Sequence, residues 1–199
     1  MCGQYDPLLF LTQILMGVGI KPGRFEDSQQ AQRIAPSVGA PIVIQNPETG
    51  AIEIIPARFG LIPHWYTKSV KDWKATTFNA RLDTAATLPV FRGAWTYRHC
   101  VVPAEAFYEW SGPKTARQKW RITRSDNQPL GFAGVWDCAS LPEGEIWSFA
   151  ILTRDAGPDM AGIHDREPVI LPPEQWEDWL RLRPVGLRRP APLKLVAAA

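Results

Sequence analysis

The stretch over residues 37–63, SVGAPIVIQNPETGAIEIIPARFGLIP, sets the narrowest limit on what this chain can become. Two β-branched runs are separated by Asn46-Pro47 and Thr49-Gly50, so the segment reads as a strand, a turn and a second strand. Five further stretches share that character: HCVVPAEAFYEW, KWRITRS, LGFAGVWDC, IWSFAILTRD and REPVILP, with turns at SDNQ and LPEGE. Strands at this density must bury their apolar faces together, which predicts an α+β class chain: one β-rich domain with an antiparallel sheet or barrel-like core and flanking helices. Helical signals are few. PPEQWEDWLRLR opens with proline, places acids early and arginines late, and puts Trp176, Trp179 and Leu180 on one face. LLFLTQILM, over residues 8–16 and closed by Gly17 and Gly19, predicts a small buried helix. The expected division is one domain over residues 1–185 and a flexible, proline- and alanine-rich tail over residues 186–199.

Composition bounds the partners. A formal charge of +2 gives no global electrostatic footprint, so affinity for a polyanion has to come from a local cluster of arginines. Nine tryptophans are a high count for this length, and the aromatic surplus reads as core or as a stacking surface. Cys2, Cys100 and Cys138 show neither metal-ligand spacing nor a C-x-x-C pair. That argues against zinc or a disulfide framework and for reduced thiols in the cytoplasm. The apolar stretch near the start is broken by Thr12 and Gln13, and no basic leader precedes it, so neither a signal peptide nor a membrane span is expected. A monomer without metal or cofactor is the expectation.

Several residues carry possible chemistry. Cys2 becomes the amino terminus if Met1 is removed, and then holds an amine and a thiol on adjacent carbons. An amine titrating near ~8 and a thiol near ~8.5 leave a usable fraction of each nucleophilic at neutral pH. Toward an aldehyde, the amine gives a Schiff base and the thiol closes on the imine carbon, forming a five-membered thiazolidine by an intramolecular step. The alternative is an idle, buried cysteine. In FNARLD, Asn79 and Arg81 lie two apart and share a face of an extended segment, which suits phosphate recognition or, equally, a cap and a surface arginine. Glu109 sits inside the apolar run AFYEW, where a carboxylate is costly unless it faces a cleft; a solvent-facing position on an alternating strand reads the same way. His164 is flanked by Asp165 and Arg166 and is a proton shuttle or a loop histidine. Trp65 and Tyr66 are base-stacking platforms if exposed, with Arg58 and Lys68 close by, and core residues otherwise. His64 and His99 read as structural or merely exposed.

The order of these motifs, MCG, AP, GLIPHW, FNAR, FYEW and IHDREPVIL from position 2 to about 171, resembles the SRAP family, the SOS-response-associated proteins. The resemblance implies a compact β-rich domain that acts in the DNA damage response. It implies covalent capture of abasic sites in single-stranded DNA by the mature amino-terminal cysteine, a thiazolidine crosslink that shields the lesion. A lyase side activity and autoproteolytic removal of Met1, the origin of the family's peptidase label, come with it. Residue by residue, it makes Cys2 the nucleophile, Asn79 its positioning group, Glu109 an acid/base and His164 the proton donor that opens the deoxyribose ring. Arg81 and Arg166 would hold phosphates, Trp65 and Tyr66 would support a base or wedge the strand, and Pro36 of the AP motif would line the DNA path. The chain would associate with the nucleoid when bound to DNA. Three positions depart from the family pattern: Gln4 replaces an arginine, Arg33 replaces an asparagine and offers a new cation, and Asp83 replaces a glutamate.

Three rival functions remain open on these residues. Glutamine amidotransferases also begin with an amino-terminal cysteine, yet their oxyanion site leans on an Asn-Gly pair that this chain lacks. A cysteine peptidase could use Cys2 with Glu109 and His164. A plain single-stranded DNA binder would leave Cys2 incidental.

Overall fold

The computed structural model describes residues 2–8, 33–187 and 192–198. Ten strands follow in order: β1 (Tyr5–Pro7), β2 (Gly39–Gln45), β3 (Ile52–Phe59), β4 (Asn79–Arg81), β5 (His99–Ser111), β6 (Gln118–Arg124), β7 (Leu130–Leu141), β8 (Gly144–Asp155), β9 (Arg166–Pro168) and β10 (Leu193–Ala198). Two short helices join them, α1 (Pro89–Tyr97) and α2 (Trp176–Leu180). This is the β-rich α+β domain the strand pattern predicts. The sheet is mixed, however, because β3 and β4 both run parallel to β8. The pairings β5–β2, β2–β3, β3–β8, β8–β7 and β7–β5 close a circuit of five strands, a barrel-like core.

Local chemistry fixes the register. At the β2–β3 turn the Asn46 side-chain oxygen accepts from the backbone of Glu48 and Thr49, and Gly50 adopts φ +69°, so the Asn-Pro-Glu-Thr-Gly stretch bends back on itself. Strand alternation then sorts side chains onto two faces. Ile42, Ile44, Phe59, Val102, Phe132 and Phe149 form one apolar cluster; Val43, Ile54, Val101, Ala133 and Ala150 belong to another, covered by Phe91 and Ala94 of α1 and Trp176 and Trp179 of α2. Each large side chain fully buried this way contributes roughly 1.5–3 kcal/mol. The α2 contact is close enough that a Cβ at Gly131 would lie 2.5 Å from the Trp176 ring, which explains a glycine inside β7.

Two expectations need correction or limits. Against the flexible tail that the sequence predicts, Leu193–Ala198 pairs with β6 at six positions, from Leu193↔Arg124 to Ala198↔Lys119, and the Leu193 amide donates to Asp159 at 3.0 Å. β6 otherwise presents an open edge of unpaired backbone groups, and pairing with it outweighs the weak strand preference of the alanines. The helix predicted over residues 8–16 lies outside the described residues apart from Leu8, which is buried. α1 has little sequence signal, since Gly93 interrupts it and only Phe91 and Ala94 of its face are buried. No helix among the described residues is long and apolar enough to cross a membrane.

Candidate functional site

β1 delivers Cys2 to its position. Its backbone pairs with β5 at Tyr5↔Phe107, the Tyr108 amide donates to the Gln4 carbonyl at 2.9 Å, and Tyr5 exchanges backbone bonds with Ile34 at 3.1 and 2.8 Å. The Tyr5 ring is fully buried, edge-on to Phe59 and Phe132. Bonds on both sides and an aromatic plug thus hold the segment, and Cys2 lies 1% exposed in the same apolar cluster as Phe59. Asn79 opens β4, and its side-chain amide donates to the Cys2 carbonyl at 3.3 Å and the Phe78 carbonyl at 3.2 Å. Its own Oδ1 is buried with no hydrogen-bond partner among the described residues. Such an acceptor is where a ligand donor gains most.

Glu109 lies two residues beyond Phe107 on β5 and therefore on the same face. At 4% exposure it points inward, which decides between the two placements its sequence context allowed. Burial first, and the Glu109 charge second, push the Cys2 thiol well above its ordinary pKa. Tyr5 is raised by burial and then by the neighbouring Cys2 and Cys100. Cys2, Asn79 and Glu109 are thus brought together, with Tyr5 as a neighbour the sequence did not single out.

His164 ends the turn after β8. The Glu167 carboxylate, 3% exposed, accepts from Arg154 Nε and the Gly157 amide, both at 2.9 Å, and staples this turn to β9. The His164 amide donates to Met160 at 3.0 Å, and Met160 belongs to the Cys2 cluster. His164 Nδ1 lies 2.9 Å from the Arg166 amide and 2.7 Å from Asp165.

The cations sit differently from their assigned roles. Arg166, expected at a phosphate, is 8% exposed and donates to Asp155 at 2.5 Å and to the Thr153 carbonyl at 2.7 Å. These bonds tie β9 to β8, while its Nε is buried with no hydrogen-bond partner among the described residues. Arg81 is exposed and forked onto Asp83 at 3.1 and 2.8 Å, so the shorter carboxylate grips the neighbouring arginine. Arg33 lies on Asp6 at 3.4 Å and over the Tyr108 ring at 4.7 Å. Tyr108 projects opposite to Glu109, so this new cation does not join Cys2. Pro36 is exposed at the rim of a 160 Å³ pocket that Phe78 also lines. Trp65 is half exposed, edge-on to Trp73 at 6.4 Å, whereas Tyr66 packs on Trp73 at 4.8 Å and is a packing residue.

One cluster escaped the sequence reading. His64 donates its amide to Asp137 Oδ2 at 3.0 Å, and its Nδ1 lies 3.0 Å from the same oxygen. Asp137 Oδ1 takes Arg98 at 3.1 Å and the Cys138 amide at 2.9 Å. Asp137 interrupts the apolar run of β7 as Glu109 interrupts that of β5, and the same argument would have found it. His99 is structural: its two ring nitrogens meet the Trp179 and Trp95 carbonyls, and its ring stacks on Trp179 at 3.8 Å.

A barrel-like domain that buries a residue-2 cysteine between an asparagine and a carboxylate defines a class of protein. The model for the family "SOS response associated peptidase (SRAP)" matches residues 1–194, and the chain belongs to that family. It is similar to the abasic site processing protein YoqW of Bacillus subtilis (strain 168), 36% identical over 126 residues, 62% of this chain and 55% of that protein. It is also similar to the abasic site processing protein YedK of Escherichia coli (strain K12), 27% identical over 155 residues, 78% of this chain and 67% of that one. These alignments span about half to two thirds of the relatives' own length. A crystal structure of a Bordetella bronchiseptica protein superposes over 100% of both chains with TM-score 0.83 and 28% identity.

Proposed function

We propose that this protein processes abasic sites, capturing the ring-opened sugar in single-stranded DNA on Cys2 once Met1 is removed. The observation that carries the reading is the convergence of Cys2 with the Asn79 amide, 3.3 Å from its carbonyl, and with the Glu109 carboxylate. The names of the curated relatives point to the same substrate.

The chemistry follows from the two nucleophiles that removal of Met1 places on adjacent carbons. The amine attacks the aldehyde carbon first. The carbinolamine loses one water to give an imine; the sulfur then adds to the imine carbon while its proton passes to the ring nitrogen. One water leaves in all. Glu109, next to the sulfur, moves protons in both stages. Asn79 Oδ1 accepts from the amine or a sugar hydroxyl, and His164 helps open the deoxyribose. Imine that fails to close is open to β-elimination, which accounts for a lyase side path. Arg81 and Trp65, both exposed, would contact phosphate and base.

Incubation with single-stranded DNA carrying one abasic site, followed by denaturation, tests the reading. Wild type lacking Met1 should give a covalent band that Cys2→Ala abolishes. Intact wild type without such a band, or an equal band from Cys2→Ala, contradicts it.

A further inference from the structure

The 160 Å³ pocket between Pro36, Gly60, Thr76 and Phe78 contains an arginine that none of the assigned roles use. Arg58 Nη1 donates to the Gly60 carbonyl at 2.6 Å and Nη2 to Ser37 Oγ at 2.7 Å. Those two bonds leave three of its five N–H groups without an acceptor among the described residues. No carboxylate pairs with it there, and burial alone lowers its pKa. Arg81, Arg166 and Arg33 contrast with it, since each already rests on an aspartate that an incoming anion would have to displace.

The backbone is shaped around this guanidinium. Gly60 adopts φ +117°, and a Cβ there would come within 2.8 Å of Arg58 Nη1. Ser37, a non-glycine residue, holds φ +76° while its hydroxyl accepts from Nη2. Left-handed geometry at a serine is costly, and such positions concentrate where a ligand is held. The pocket also shares a wall with the Cys2 site: Phe59 and Phe78 contact each other at 5.7 Å in the cluster around Cys2, and Asn79 follows Phe78 directly.

We propose that Arg58, fixed by Ser37 and Gly60, is an anchor for a DNA phosphodiester beside the Cys2 site. The inference rests on the DNA-capture reading and adds to it the group that holds the strand. An unneutralised, half-buried guanidinium gains more from a phosphate than one already paired.

The test measures equilibrium binding of a single-stranded oligonucleotide whose abasic site has been reduced, so that no aldehyde remains, across a range of salt. Arg58→Gln should bind about tenfold more weakly at 0.1 M salt, and the slope of log affinity against log salt should shrink by about 0.7, one released counterion on a single strand. Arg58→Lys should keep the slope. Thr76→Glu, an exposed change on the pocket wall that leaves Arg58 in place, should lower the slope as well, which covers the case of a misfolded Arg58→Gln. Unchanged slopes in Arg58→Gln and Thr76→Glu overturn the proposal, even if affinity falls. Capture failing on unreduced DNA while the Arg58-dependent slope persists would sink the capture reading alone. Capture proceeding with slopes unmoved would sink the anchor alone.

Discussion

Two carboxylates sit inside this protein beside a reactive side chain, Asp137 at His64 and Glu109 at Cys2, and their surroundings differ. Asp137, 2% exposed beside His64, receives two backbone amides, one guanidinium and an imidazole nitrogen on its two oxygens. Four partners fix its position, and they clamp β7 to the loop after β3 and to Arg98. Glu109, 4% exposed, adds its charge to the burial that already raises the pKa of the Cys2 thiol. The first arrangement spends its polarity on architecture, and the second lies where the proposed capture places its chemistry.

Substitutions at the two sites should separate these roles. Glu109→Gln, nearly isosteric, should slow crosslink formation by about 100-fold or more, the usual contribution of a positioned acid/base, with a melting temperature close to wild type. Single-turnover kinetics on denaturing gels read the rate, and a shift in melting temperature as large as the rate loss implies would erase the distinction. Asp137→Ala should do the reverse. It leaves Arg98 and two amides without their acceptor and should destabilise the domain by roughly 3 kcal/mol in urea unfolding, with the folded fraction still capturing DNA.

A smaller effect lies in the pH dependence. The folded protein holds the Cys2 proton to a higher pH than the unfolded chain does. The native state therefore binds more protons above about 8.5, the unfolded thiol's value, and stability falls as pH rises beyond it. Below that pH the contribution is fully present. Cys100 and Tyr5 are raised as well, so wild type and Cys2→Ala have to be compared. Between pH 8 and 10 the wild-type melting temperature should drop further than that of Cys2→Ala; parallel curves would mean the thiol titrates normally.

Much of this was legible in the chain. Strands with period-two apolar patterning, the Asn46–Gly50 turn and the tryptophan face of α2 all follow from local preference, and they appear where the sequence puts them. What sequence could not show depends on neighbours distant in the chain. β10 forms because β6 has an edge to fill, and α1 because β7 offers a surface for Phe91 and Ala94. At the site, Asn79 and Glu109 lie 30 residues apart, and only the placement of β1 against β5 unites them with Cys2. The arginines were the least legible, since whether one is available to an anion depends on which aspartates fold onto it. Arg81 and Arg166 are paired, and Arg58, passed over as a neighbour of Trp65, is not paired among the described residues.

The most direct check is the intact mass of the species formed with an abasic single strand. It should equal the chain without Met1 plus the oligonucleotide minus one water, and it should survive denaturation. An adduct that retains Met1, or DNA and protein that separate at their free masses, would contradict capture by the amine and thiol of Cys2.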